Sequence, residues 1–338
     1  MAEINVYFAT NRNHLSDNKR AVFGGRFNPD GVAALRFGRA TFRAGDDGPV
    51  MTGITVFDET MAGAPAGGFT KTGSAQLMDA LHGRMAKGRV DTLVYIHGFN
   101  VTFLEALTDG ARIAVTLPQD VNIMVFSWPS DGEAVPFMSY YSDREDARAS
   151  GPALARTYLK LLDYVCELPA DDYCLRNLHI LAHSMGNYVL RQGIQALHAK
   201  QPTRMVRLFD QVLMIAADED DDAFERDDKL RMLPSLSRRI TLYHNRFDRA
   251  LLVSDKTKAN PDRLGSDGPR MLDLLPAKVK IVDASKVAGM ADRLVMHSYH
   301  VRSASVAADV AAVLAGEEDA RIGNRETIRP ERAYRLMA

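Results

Sequence analysis

The chain has 338 residues, 46% hydrophobic and 25% charged, which is enough apolar material for a sizeable core and unlike a disordered composition. A formal net charge of −1 without a long Lys/Arg tract gives no support for the concentrated basic face that a nucleic-acid partner requires. No apolar run approaches the roughly 20 residues that span a bilayer. The opening MAEINVYFATNR also lacks the basic and apolar regions of a secretory leader, so a cytoplasmic protein without a membrane span is expected.

Residues 1–90 read as short strands, INVYFAT, AALRFGRATF and GITVFDE, separated by Gly/Pro-rich turns such as AGAPAGG at 62–68. A helix over 74–87 follows, with Leu77, Met78, Leu81 and Met85 on one face. From residue 91 short apolar runs alternate with helical patterns. TLVYIHG (92–98) precedes a helix over 102–117. NIMVFSW (122–128) precedes a polar loop and a helix over about 144–167. Cys166 and Cys174 have no further Cys/His cluster at zinc spacing and read as reduced thiols. LHILAHS (178–184) leads into a helix to about residue 199. QVLMIAAD (211–218) is followed by a short helix, RITLYHNRFD (239–248) and VKIVDAS (279–285) by irregular segments, and a last helix covers about 303–315.

Apolar runs of this length, alternating with helices, predict βαβ units and a mostly parallel, doubly wound sheet, with the N-terminal strands as an antiparallel edge extension. The expected organisation is a single α/β domain: residues 1–90 extend the sheet, 91–316 form the core, and 317–338 are a polar, Arg-rich tail that is loosely held or wraps the body.

Chemistry in an open parallel sheet collects beyond the carboxyl ends of the strands. Ser184 falls at such an end, between an apolar run and a helical pattern, with Ala182 and Gly186 two residues to either side. Small residues there permit the sharp strand-to-helix turn that exposes a serine oxygen, and the helix start points the Met185 N–H toward the same corner. A serine near a strand end is as readily a helix cap. YIHGFN supplies a second signal: Gly98 permits an unusual backbone, Phe99 offers a further N–H for an oxyanion, and His97 reads as a loop-orienting residue. Downstream, Asp248 and then His297 or His300 each follow an apolar strand, giving the order Ser, Asp, His. Asp218 opens the acidic run 218–222, which reads as a solvated face and helix cap. It remains an alternative acid, with Asp283 a more distant one.

AHSMGN, YIHGFN and HSYH resemble the α/β-hydrolase superfamily, and within it a bacterial branch of uncharacterised esterase/lipase-like serine hydrolases. The resemblance covers about residues 91–315 and departs from the superfamily pattern in having Ala182 for the first glycine of the serine turn. It implies an α/β-hydrolase fold, with Ser184 as nucleophile, Asp248 as acid, and His297, rather than His300, as base. It implies a carboxylic ester of a small-molecule acyl substrate, and no metal or organic cofactor. A thioesterase, amidase or acyltransferase on the same residues, or a non-catalytic binding module on this fold, are the alternatives. Trp128 and Pro129 are expected to wall a pocket, and the aromatic segment 129–146 to cover it as a lid.

Overall fold

A computed structural model describes residues 3–15, 22–57, 72–130, 136–248, 250–251, 263–287 and 296–337, with residues 136–139 by backbone only. The expected turn at 62–68, part of the 129–146 segment and the start of the last histidine loop lie outside the described residues. The chain divides into two compact units, Met1–Val115 with Asp120–Asn177, and Thr116–Gln119 with Leu178–Ala338.

In the first unit the strands are β1 (Glu3–Thr10), β2 (Arg12–His14), β3 (Phe23–Phe27), β4 (Arg36–Gly45), β5 (Gly48–Phe57), β6 (Asp91–Ile96) and β7 (Val121–Ser127). Their sheet order is β6-β7-β1-β4-β5, with β2 and β3 as a separate hairpin. β6, β7 and β1 run parallel, and β4 and β5 add antiparallel at the edge. Every residue of β7 is buried, as a strand covered on both faces requires. Helix α1 (Gly73–Gly88) buries Leu77, Met78, Leu81 and Met85, the face its periodicity predicts. Helix α2 (Phe103–Thr116) starts with a capping box. The Glu105 N–H donates to Thr102 Oγ1 at 3.3 Å, while Glu105 Oε2 accepts from the Thr102 N–H at 2.9 Å. The helix expected over 144–167 is two helices, α3 (Pro136–Ala149) and α4 (Gly151–Glu167). They part at Ser150, where Pro152 sits in the first turn of α4 and provides no N–H to continue α3.

In the second unit the strands are β8 (Leu178–His183), β9 (Phe209–Ile215), β10 (Ser237–His244), β11 (Val279–Asp283), β12 (Arg325–Arg329) and β13 (Ala333–Leu336), ordered β12-β13-β11-β10-β9-β8. All neighbours pair parallel except β12 with β13. The helices are α5 (Gly186–Lys200), α6 (Leu264–Asp267), α7 (Tyr299–Arg302) and α8 (Ala304–Leu314). Because His183 pairs with Ile215, Ile215 with Tyr243, and His244 with Asp283, the carboxyl ends of four strands are level. The loops that carry Ser184, Asp218, Asp248 and His297 therefore leave one edge of the sheet.

Two expectations are corrected here. After Asp218 the chain makes turns and a short 3-10 helix at Leu233–Leu236 instead of an α-helix. The polar C-terminal tail is a pair of strands that extends the sheet beside β11. Arg325 of this tail is buried against Asp309 of α8, at 2.6 and 2.8 Å from its two carboxylate oxygens, and bonds Asp319 at 2.6 Å. No helix among the described residues is long and apolar enough to cross a membrane.

Candidate active site

The step from β8 to α5 takes only two residues, and Ser184 makes it with φ at 52°, the left-handed region that L side chains rarely adopt. Such a conformation costs on the order of 1–2 kcal/mol and persists only where its surroundings enforce it. They do so here. The Ser184 N–H donates to Ile215 O at 2.9 Å. Asn187 Nδ2 donates to the carbonyls of Ala182 at 3.0 Å and Ser184 at 3.1 Å, and the Asp218 N–H donates to Ser184 O at 3.2 Å. Ala182, Met185, Gly186 and Asn187 are all buried around the turn. Met185 occupies the N-cap of α5 and makes no side-chain cap. Peptide N–H groups at the start of a helix favour negative charge nearby.

Asp248 and His297 are brought together. His297 Nδ1 lies 2.7 Å from Asp248 Oδ2, with Asp248 fully buried and His297 nearly so. The other Asp248 oxygen accepts from the N–H groups of Ala250 at 3.1 Å and Leu251 at 3.3 Å, which fixes the carboxylate's orientation. Burial opposes protonation of His297. The charge and hydrogen bond of Asp248, with the charge of Asp218, outweigh it and raise the imidazole pKa above its ordinary 6.5. Asn245, fully buried, joins the two loops: its Nδ2 donates to Met296 O at 2.9 Å and its Oδ1 accepts from the Phe247 N–H at 3.0 Å.

His183, the residue before Ser184, touches both downstream histidines. Its ring centroid is 4.7 Å from that of His297 and 4.1 Å from that of His300, and its Nε2 is 3.2 Å from the His297 carbonyl. Ser184 and His297 are thereby connected through a single neighbouring side chain. His300 is buried, and burial, with the charges of His297 and Arg302, lowers its pKa to about 3. The bond to Asp248 is made by His297, not by His300.

The acidic run is not a solvated face. Asp218, Glu219, Asp221 and Asp222 are buried, and the run is neutralised by cations from elsewhere in the chain. Arg263 Nη1 lies 2.6 Å from Asp220 and Arg191 Nη1 3.1 Å from Glu219; Lys229 pairs with Asp220 at 2.8 Å and also with Asp222. Asp218 sits 3.8 Å from Arg263 Nε. Asp283 is taken up by Arg335 at 3.1 Å and by the Ser285 N–H.

In the first unit, the loop after β6 carries His97, Gly98, Phe99 and Asn100. The His97 ring is fully buried and stacks on Trp128 with centroids 5.2 Å apart. His97 Nε2 accepts from the Trp128 N–H at 3.2 Å, so the proton belongs on Nδ1, which donates to Gly98 O at 2.8 Å. Burial and the Arg12 charge lower its pKa to about 3. The imidazole is therefore a neutral brace of its own loop. Trp128, expected as a pocket wall, is instead wholly buried, with its Nε1 donating to His97 O at 2.9 Å. Asn100 has φ at 56°, and its N–H donates to Asp143 Oδ2 at 2.8 Å. Phe99 meets Tyr140 edge-on at 5.8 Å, so the described end of the aromatic 129–146 segment packs on this loop as helix α3. Arg12, fully buried, donates to Val101 O at 2.7 Å, Ser130 O at 3.0 Å and Ser127 Oγ at 2.9 Å, tying the ends of the loops after β6 and β7.

Sequence reading missed Asn187, Asn245, Tyr299 and Arg12 as supports. Only Asn187 carried a local signal, its position three residues after the serine at the very start of the helix. Among the described residues no group of three or more His, Cys, Asp or Glu side chains is arranged to hold a metal ion. The second unit offers an imidazole oriented by a buried carboxylate, packed against His183, and a serine on the strained turn that follows His183 at the start of α5.

No curated protein matches the chain. A family model described as an alpha/beta hydrolase of unknown function (DUF900) matches residues 74–316. That span takes in α1, the parallel strands β6 to β11, and Ser184, Asp248 and His297. The chain belongs to this family of α/β hydrolases.

Proposed function

We propose that the protein is a serine hydrolase that cleaves a carboxylic ester through an acyl-enzyme. The observation that carries this reading is the buried Asp248–His297 pair, 2.7 Å apart, packed against the residue that precedes Ser184. In the proposed reaction His297 Nε2 takes the Ser184 proton as Oγ attacks the ester carbonyl. Asp248 holds the Nδ1–H tautomer and stabilises the imidazolium. The Met185 N–H, at the start of α5, is the first oxyanion donor, and the reaction needs a second, for which we propose the Phe99 N–H. The imidazolium then protonates the leaving alcohol, and the same base activates water to release the acid. The raised proton affinity of His297 suits this role, because a general base works best with a pKa near the operating pH.

The test is hydrolysis of short p-nitrophenyl esters. Turnover by the unmodified protein and its loss in a folded Ser184→Ala variant are expected. Equal turnover by both proteins would refute the assignment. Thioesters and amides assayed in parallel would identify the bond class.

A further inference from the structure

Among the buried hydroxyls that the proposed chemistry does not use, that of Tyr299 stands nearest in the chain to His297. Tyr299 lies between His297 and His300 in the chain, opens α7 and is fully buried. Its hydroxyl accepts from the Ala216 N–H at 3.0 Å and donates to Tyr243 O at 3.1 Å; the same N–H reaches Tyr243 O directly at 3.3 Å, so the phenol reinforces an existing junction between the ends of β9 and β10. Burial, with the charge of Asp248, raises its pKa well above that of a free phenol, so the donor proton stays in place.

Ala216 is itself strained, with φ at 47° on a residue that has a Cβ. Its surroundings leave it little freedom: a Cβ added to Gly265 would lie 2.4 Å from the Ala216 carbonyl carbon and 2.3 Å from the Ala217 nitrogen. Two residues on, the Asp218 N–H donates to the Ser184 carbonyl. β10, the other strand that Tyr299 grips, leads to Asn245, which bonds Met296 O, and to Asp248. One phenol therefore links the histidine segment to both the serine turn and the carboxylate loop.

We propose that Tyr299 is a positioning residue whose hydroxyl holds Ala216 in the left-handed conformation and so sets the His297 segment against the Ser184 turn. This rests on the serine-hydrolase reading above. A packing role needs only the ring, whereas the positioning role needs the oxygen, and Tyr299→Phe separates the two. In Tyr299→Phe, fluorophosphonate labelling of Ser184 slows about tenfold, the effect of about one hydrogen bond. Glycine adopts a positive φ without the alanine penalty, so adding Ala216→Gly to Tyr299→Phe restores most of that rate. The low-field proton resonance of the His297–Asp248 hydrogen bond shifts in Tyr299→Phe and returns in the double variant.

Equal labelling of the unmodified protein and Tyr299→Phe overturns the proposal and leaves the hydrolase reading intact. A slow Tyr299→Phe that Ala216→Gly does not restore overturns it as well, assigning the hydroxyl to stability alone. Absence of label on the unmodified protein defeats the hydrolase reading, and the positioning role falls with it.

Discussion

His297 draws its proposed role from two opposing forces. Burial in a low-dielectric corner favours the neutral ring, while Asp248 at 2.7 Å favours the imidazolium, and the net shift is upward. The base must be neutral to accept a proton, so ester hydrolysis is expected to fall as pH drops, with a midpoint above 6.5. Asp248→Asn removes the charge that raises the pKa and disturbs the tautomer. It should cut kcat on the order of 10⁴-fold and move the midpoint of the residual rate downward, read from a pH–rate profile. An unchanged midpoint would contradict the pairing. The stability contribution has the opposite sense. A histidine whose folded pKa is raised stabilises the fold below its unfolded pKa, and that contribution is lost as pH rises through the folded value. His97 and His300, both lowered to about 3, behave in reverse: they favour the fold above 6.5 and penalise it as pH falls toward 3.

The elements that carry the site are the carboxyl ends of parallel strands and the turns that leave them. Much of this was legible, because local chemistry enforces it. Ala182, Ser184 and Gly186 announce a sharp strand-to-helix turn, and Ser184 at φ 52° makes that turn. The alternating apolar runs and helical patterns predict the order of the parallel strands and the buried face of α1, but not the break at Ser150 or the C-terminal strands. Long-range pairing was not legible. The acidic run 218–222 reads as solvated because its partners Arg191, Lys229 and Arg263 are local features elsewhere in the chain. Tyr299 gives no sign of reaching Ala216, since that contact depends on how β9 and β10 end. At this scale Gly265 is the sharpest test of the packing. Gly265→Ala drives a Cβ into the backbone of Ala216 and Ala217, which lines the serine turn. We expect a loss of about 1–3 kcal/mol or more in urea unfolding, together with reduced ester hydrolysis. A variant as stable and active as the parent would contradict the close approach.

For the molecule as a whole, composition said little: near-neutral charge lends no support to a basic face, and the apolar content marks a chain able to form a sizeable core. The family match adds the α/β-hydrolase assignment over residues 74–316. Stability reaches past that span. The C-terminal strands are held by Arg325, whose side chain is 1% exposed and makes two hydrogen bonds to the buried Asp309, which in turn accepts from the Tyr243 hydroxyl at 2.6 Å. Arg325→Met leaves that carboxylate buried without its cation and should cost about 3–5 kcal/mol, visible as a lower Tm. Adding Asp309→Asn should recover part of the loss, and no recovery would mean the pair is not coupled. The proposed function itself turns on whether Ser184 is an activated nucleophile. Mass spectrometry of the intact chain after treatment with a fluorophosphonate, followed by peptide mapping, measures this directly. The account predicts one adduct, on the peptide carrying Ser184, absent from Ser184→Ala and formed more slowly below the His297 midpoint. A folded protein that takes no adduct, or takes it on another residue, would contradict it.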